Sequence, residues 1–256
     1  MRFGVCNPYT NIGLIKSAGY DYIELAFCVI TAMSDKEFAD VYKAVEKHSF
    51  PAEAYNGFFP GEIKLVGDSV DFDVVRKHAR LGFSRAKELG GKVAVVGSGV
   101  ARKIPDGFDR KTAESQFADV LKICGDEAGT VGMEIVIEPL QEKETNLINT
   151  VAEGLEFCER VNHEKVFCLA DFFHVFRSGE TLDAIENSAG NIRHVHIARA
   201  NDDRRIPTEE DTESCIPWAN ALKKCRYDQR ISLEGAFYPD VETAINNAKK
   251  ILELFK

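Results

Sequence analysis

Apolar residues recur along the chain in two alternating patterns. Short runs of aliphatic and β-branched residues, such as Val93–Val96, predict strands that are covered on both faces. Between these runs, apolar residues spaced three and four apart predict helices, and the clearest example carries Val75, Ala79 and Phe83 and ends at Gly90. A strand followed by a helix, repeated along the chain, is typical of a parallel sheet.

The pattern repeats often enough to predict eight strand and helix units. The predicted strands are Phe3–Cys6, Tyr22–Leu25, Ala52–Tyr55, Val93–Val96, Ile135–Glu138, Cys168–Asp171, Ile192–His196 and Ile231–Glu234. The predicted helices are Asn11–Ala18, Ser34–Lys47, a helix from Asp71 or Asp73 to Leu89, Phe117–Ala128, Thr150–Val161, Leu182–Asn187, Glu213–Cys225 and Val241–Phe255. A long loop covers Asn56–Val70. Since no linker or repeat divides the chain, we predict a single (β/α)₈ TIM barrel domain over residues 1–256, with a doubly wound open sheet as the alternative.

Composition narrows the class of protein. Hydrophobic residues make up 45% of the chain and charged residues 29%, which is typical of a globular protein with a buried core. The net charge of −9 argues against nucleic acid as a partner, because phosphate backbones are bound by clustered Lys and Arg. The chain start lacks the apolar core of a signal peptide, and no run approaches the roughly 18 apolar residues of a membrane span. With seven scattered cysteines and no Cys-x-x-Cys pair, we expect a cytoplasmic protein with reduced thiols and no membrane partner.

Four of the predicted strands end in a side chain that can bind a divalent cation. These residues are Glu138, Asp171, His196 and Glu234, which end the fifth, sixth, seventh and eighth strands. In a parallel barrel, the carboxyl ends of successive strands meet at one mouth. Three carboxylates and one imidazole form a hard, oxygen-rich donor set, so we expect one divalent metal ion, Mn²⁺ ahead of Mg²⁺, Co²⁺ or Zn²⁺.

The same strand ends carry longer motifs. The motifs are Ile137–Leu140 followed by Glu144–Thr150, Asp171–His174, His194–His196 and Leu233–Gly235. Together they resemble the motifs of the xylose isomerase-like sugar isomerase and epimerase superfamily. Within it, these motifs are most similar to the D-tagatose 3-epimerase and D-psicose (allulose) 3-epimerase family. The resemblance covers most of the chain and all four candidate metal positions.

The resemblance implies roles for individual residues. It implies that Glu138, Asp171, His196 and Glu234 hold the metal and that Glu138 and Glu234 are the catalytic acid and base. It further implies that Glu144, His174 and an arginine after the seventh strand bind the sugar's oxygens; Arg204 matches that arginine by its distance from Pro207, and Arg205 is the alternative. A homo-oligomer, either a dimer or a tetramer, is also implied.

This arrangement suits proton transfer beside a ketone. A divalent cation draws charge from the substrate oxygens, and inversion through a planar enediolate requires one carboxylate on each face. The resemblance, together with this chemistry, implies a metal-dependent ketose 3-epimerase acting on a small sugar. An aldose–ketose or hydroxypyruvate-type isomerase and an inosose dehydratase are alternatives on the same fold, and an endonuclease of the same superfamily and a non-catalytic sugar-binding barrel are more distant ones.

Three further signals are assigned no chemistry. His194 has the same parity as His196, so it is expected inside the barrel as a hydrogen-bonded residue, and Glu24 is expected as a buried polar partner. The segment Gly97–Gly99 lacks the Lys and the Ser or Thr of a phosphate-binding P-loop.

Overall fold

Eight parallel strands close into a barrel in the order in which they occur in the sequence. The computed structural model describes residues 1–201 and 203–256. Its strands are β1 (Arg2–Cys6), β2 (Tyr22–Ala26), β3 (Ala52–Asn56), β4 (Val93–Val96), β5 (Glu134–Ile137), β6 (Val166–Asp171), β7 (Ile192–Ile197) and β8 (Arg230–Leu233). Because β1 pairs with β8, the sheet has no open edge. The predicted (β/α)₈ barrel is confirmed, and the open doubly wound sheet is excluded.

Helices surround the barrel and bury one apolar side each against it. They are α1 (Ile12–Ser17), α2 (Phe27–Ala32), α3 (Asp35–His48), α4 (Phe72–Glu88), α5 (Gly99–Arg102), α6 (Arg110–Thr130), α7 (Val151–Val161), α8 (Phe172–Ser178), α9 (Asp183–Glu186), α10 (Thr212–Lys224) and α11 (Val241–Glu253). In α4, the Asp71 carboxylate accepts hydrogen bonds from the backbone N–H groups of Asp73 and Val74, which caps the helix start. No helix in these two described stretches is long and apolar enough to cross a membrane.

Three short helices were missed by the sequence pattern. Helices α2, α5 and α8 start at or just after the carboxyl ends of β2, β4 and β6, and they contain four to seven residues. So few residues complete at most two turns, which is too short for a period to be visible. The helix predicted at Leu182–Asn187 is the single turn α9. Asp202, which precedes the two candidate arginines Arg204 and Arg205 in the sequence, lies outside the described residues.

The amino-terminal end of the barrel is closed by packing and by ion pairs. The Tyr22 ring crosses the interior where Gly4 leaves room, since a Cβ atom on Gly4 would lie 2.2 Å from that ring. Glu53 accepts hydrogen bonds from Arg2 and Arg230 at 2.6 Å each. The opposite end, where the strands finish, gathers buried Glu, Asp and His side chains. A functional site is therefore expected at this carboxyl-terminal mouth.

Candidate metal centre and active site

The four side chains proposed as metal ligands lie together at the barrel mouth. Asp171 ends β6, His196 is the fifth residue of β7, and Glu138 and Glu234 directly follow β5 and β8. Each offers one ligand atom, and these atoms lie within 4.8 Å of one another. The set is largely buried, with Asp171 1% exposed and His196 fully buried. Neighbouring strands thus bring together residues that are up to 96 positions apart, from 138 to 234 in the sequence.

The orientation of His196 suits a metal ligand. Its Nε2 lies 3.0 Å from Oε1 of Glu24, so the ring donates that N–H to a carboxylate. Its Nδ1 lies 3.5 Å from Glu138 Oε1 and 3.2 Å from Glu234 Oε2, so a neutral ring presents its lone pair towards these oxygens. Within the described chain, this buried Nδ1 makes no hydrogen bond. A lone pair facing carboxylate oxygens is stabilised by a cation between them, so the residues fit a divalent metal.

Glu24, to which sequence analysis assigned no chemistry, is a buried carboxylate that contacts the candidate centre. Its two oxygens accept from Nε2 of His196 at 3.0 Å and from Nε2 of His194 at 2.8 Å, inside the barrel. Burial alone would raise the pKa of Glu24, but the two imidazoles outweigh it and hold the pKa well below its usual value. An ionised Glu24 fixes the tautomer of His196. His194 is the hydrogen-bonded interior residue that was expected.

Arg204 and Arg205 point in different directions. The Arg204 guanidinium Nη2 lies 2.8 Å from Asp171 Oδ2 and 2.6 Å from Glu234 Oε2. Arg205 instead pairs with Asp203 at 3.1 Å on the outer side. Arg204 has a positive φ of 45°, and its backbone is held at the exit of β8, where Ala236 N–H donates to its carbonyl at 2.8 Å. The geometry thus favours Arg204 over Arg205 as the arginine of the site.

The Arg204 side chain is also held from the neighbouring helix. Its guanidinium carbon lies 4.8 Å from the centre of the Phe173 ring on α8. A Cβ atom on Gly235 would lie 2.3 Å from the Arg204 carbonyl oxygen, so only glycine allows β8 to approach this loop so closely. The positive charge therefore stays beside the carboxylates.

His174 and Glu144 lie beside the cluster. His174 is buried on α8, and its Nδ1 accepts the backbone N–H of Gln141 at 3.2 Å, so Nε2 carries the proton in the neutral ring. That Nε2–H lies 3.7 Å from Asp171 Oδ2 and 4.0 Å from Glu144 Oε1. It makes no hydrogen bond to any residue that the structure describes. A buried donor without a partner suits a ligand oxygen.

Two glycines in the loop after β4 lie close to candidate site residues. A Cβ atom on Gly97 would lie 2.1 Å from Oε2 of Glu138, and one on Gly99 would lie 3.0 Å from the carbonyl oxygen of Glu144. These glycines therefore make room for two candidate site residues, a role that the sequence pattern did not indicate.

Arg102 on α5 is a fully buried cation behind Glu138. It donates to the carbonyls of Val96 at 3.2 Å, Glu138 at 2.7 Å and Ile148 at 3.3 Å. Burial lowers the pKa of Arg102 to about 10, so the side chain stays charged at neutral pH. It joins the ends of β4 and β5 to the loop that carries Glu144.

A cavity of about 370 Å³ opens beside the cluster, a volume typical of small-molecule sites. Its polar base includes Glu24 and Asn56, and Asn56 Nδ2 donates to Glu234 Oε1 at 2.9 Å. Its walls are mainly apolar, with Val29, Ile30 and Met33 from α2 and the segment after it. None of the residues described along this wall is Lys or Arg.

The chain is similar in sequence to curated sugar epimerases. A curated D-psicose 3-epimerase from Agrobacterium fabrum is 26% identical over 243 residues, which cover 91% of this chain and 79% of that protein. Three other curated 3-epimerases align over 39%, 43% and 46% of their own lengths.

Solved structures share the fold. A crystal structure of a D-psicose 3-epimerase determined with D-fructose superposes with a TM-score of 0.84 at 18% identity, covering 99% of this chain and 97% of that one. A structure of an IOLI protein with a bound zinc atom superposes with a TM-score of 0.78 at 19% identity, covering 100% of this chain and 98% of that one. The family model described as a xylose isomerase-like TIM barrel matches residues 12–256, so the chain belongs to that family.

Proposed function

We propose that the protein is a divalent-metal-dependent sugar epimerase of the ketose 3-epimerase type. The observation that carries the proposal is the pair Glu138 and Glu234 on either side of His196 Nδ1, in a buried cluster where that nitrogen is unpartnered among the described residues. The curated relatives named as 3-epimerases support the same reaction.

Glu138, Asp171, His196 and Glu234 would hold one divalent ion. The oxygen-rich donor set supports Mn²⁺ as the first choice, with Mg²⁺, Co²⁺ or Zn²⁺ as alternatives, and the zinc of the IOLI structure supports metal binding at such a barrel. When bound, the ion acidifies the C–H beside the ketone and stabilises the negative charge that develops on the oxygens.

The two glutamates would move the proton. One carboxylate takes the proton from the carbon beside the ketone, and the conjugate acid of the other returns a proton to the opposite face of the planar intermediate. Glu138 follows β5 and Glu234 follows β8, so they reach the substrate from different sides of the mouth. The configuration of one carbon is inverted. The first carboxylate then holds a proton and the second has lost one, and exchange with solvent restores the starting state.

Glu144, His174 and Arg204 would bind and orient the sugar. The free Nε2–H of His174 would donate to a substrate oxygen, and Arg204 would add a permanent positive charge beside it. Glu144, whose side chain is 38% exposed, would accept from a sugar hydroxyl. Since the described cavity wall carries no Lys or Arg, we favour an unphosphorylated ketose.

We further propose that the protein works in the cytoplasm as a homo-oligomer, without nucleic acid as a partner. All seven cysteines lie in the described part of the chain and are free thiols, which supports a reducing compartment. Helix α4 exposes Phe72, Val74 and Leu81, which suits a contact between copies. Light scattering after size exclusion measures the mass, and a monomer at all concentrations would contradict the oligomer.

The reaction is tested by product identification. The metal-loaded protein is incubated with free and phosphorylated ketoses, and the products are separated by chromatography. A new ketose epimeric at C3 is expected, with loss of its formation in Glu138→Gln and Glu234→Gln and no loss in the exposed control Glu46→Gln. An aldose product would indicate an isomerase, and a dehydrated product would indicate a dehydratase; either result would contradict the proposal.

A further inference from the structure

Cys6, Glu24 and His196 lie together on the side of the imidazole that faces away from the four-residue cluster. Each offers one ligand atom, and these three atoms lie within 4.8 Å of one another. We propose that these residues form a second cation site, selective for Zn²⁺ or another thiophilic ion, which competes with the four-residue cluster for His196.

The barrel register places these side chains together. Cys6 ends β1 and pairs directly with Glu24 on β2, while His196 reaches Glu24 from β7 across the interior. Two atoms bound to one zinc ion at about 2.3 Å lie at most about 4.6 Å apart, so the observed spacing requires only small side-chain shifts. Cys6 and Glu24 also line the cavity beside the cluster, which gives an ion a route of entry.

The donor set differs in kind from the four-residue cluster. A thiolate, a carboxylate and an imidazole are three ligands that Zn²⁺ accepts, and a fourth position would open towards the cavity. The four-residue cluster offers only oxygen and nitrogen donors. A thiolate binds soft ions more strongly than hard ones, so the second site favours a soft ion. Binding there would release the Cys6 thiol proton to solvent.

His196 links the two sites because they use different ring nitrogens. Nε2 faces Glu24, whereas Nδ1 faces Glu138 and Glu234. An ion at the second site takes Nε2 and leaves the ring proton on Nδ1, where Glu234 Oε2 at 3.2 Å can accept it. The neutral ring then has no lone pair for the four-residue cluster.

His194 orients the Glu24 carboxylate of the second site. The Glu24 oxygen Oε2 accepts from His194 Nε2 at 2.8 Å, so Oε1 remains for the ion. A carboxylate that is oriented in this way loses little freedom on binding. The two sites therefore exclude each other on one neutral ring, and excess zinc withdraws His196 from the proposed epimerase centre.

Cobalt titration of the metal-free protein tests this proposal, because a Co²⁺–thiolate bond gives a near-ultraviolet charge-transfer band that oxygen and imidazole ligands do not give. We expect the band in the wild type, its loss in Cys6→Ser and its retention in Cys28→Ser, a cysteine on α2 outside both clusters. Added Zn²⁺ should remove the band from the wild type.

Two results would overturn the proposal. One is absence of the band from the wild type at saturating Co²⁺, and the other is an unchanged band in Cys6→Ser. Because the band reports a thiolate and not turnover, either result leaves the proposed epimerase activity to its own test. Near-ultraviolet circular dichroism of the metal-free variants checks that Cys6→Ser has folded as the wild type has.

Discussion

Glu138 occupies its position because Gly97 has no side chain, since a Cβ atom on Gly97 would lie 2.1 Å from Glu138 Oε2. We expect Gly97→Ala to displace this carboxylate, and a misplacement of about 1 Å lowers kcat/KM by about 10²-fold. Steady-state kinetics and Mn²⁺ titration measure the effect. Gly129→Ala in α6, where the nearest neighbour is Lys165 Cγ at 3.5 Å, is the matched control. Equal kinetics in both variants would contradict this role of Gly97.

Glu24 should control metal affinity although it is not one of the four ligands. We expect Glu24→Gln to weaken Mn²⁺ binding about 10 to 100-fold, because a glutamine orients the ring of His196 less strongly than a carboxylate. Isothermal titration calorimetry with Mn²⁺ checks this, with Glu46→Gln as the surface control. Wild-type affinity in Glu24→Gln would show that the ring is held by other contacts.

Metal binding should stabilise the fold. Three carboxylates converge beside His196, and a bound cation removes their repulsion. At a metal concentration about 100 times Kd, the gain is about 2.7 kcal/mol. For a chain of this size, that gain raises Tm by roughly 5 to 10 °C. Scanning calorimetry with and without a chelator measures the shift, which should vanish in Asp171→Asn. A Tm that is insensitive to the chelator would argue against the metal centre.

Arg102 should contribute mainly to the stability of the folded protein. Its guanidinium satisfies the buried carbonyls of Val96, Glu138 and Ile148. We expect Arg102→Met to lower the free energy of unfolding by about 3 kcal/mol, because carbonyls left without a donor in the interior are costly. Urea denaturation gives the value, and the partly exposed Arg110→Met is the comparison. A similar loss of unfolding free energy in both variants would mean that the hydrogen bonds of the buried Arg102 guanidinium add no special stability.

His174 should act on the substrate and not on the metal. Its free Nε2–H has no partner within the described residues, so His174→Gln should lower kcat/KM by about 10²-fold while Mn²⁺ affinity is retained. Kinetics and calorimetry on one preparation separate the two effects, and His163→Gln on the outer side serves as control. Loss of Mn²⁺ affinity together with activity would instead assign His174 to the metal centre.

The sequence was sufficient to predict the barrel and the residues that end its strands. Apolar runs and helical spacing are local patterns, and the parallel barrel then brings Glu138, Asp171, His196 and Glu234 to one mouth. Side-chain contacts between strands on opposite sides of the barrel could not be predicted from these local patterns. The bond from Glu24 to His196 joins β2 to β7 through the interior, and it depends on inward parity and strand position together. A sign of it was present, because two inward histidines on one strand require an acceptor.

The different positions of the Arg204 and Arg205 side chains could not be predicted from the sequence either. Their difference lies in one positive φ angle and in the approach of Gly235, which no spacing rule reveals. The role of Gly97 could not be predicted from the sequence either, because it depends on the position of the Glu138 carboxylate in the folded protein.

The proposed function depends on proton transfer at the carbon beside the ketone. Its most direct test is incubation of the Mn²⁺-loaded protein with a ketose panel in deuterated water, followed by NMR, with Glu234→Gln as control. We expect deuterium at C3 together with the C3 epimer in the wild type and neither in the variant. A C3 epimer that forms without deuterium, or deuterium at C1 or C2 alone, would contradict it.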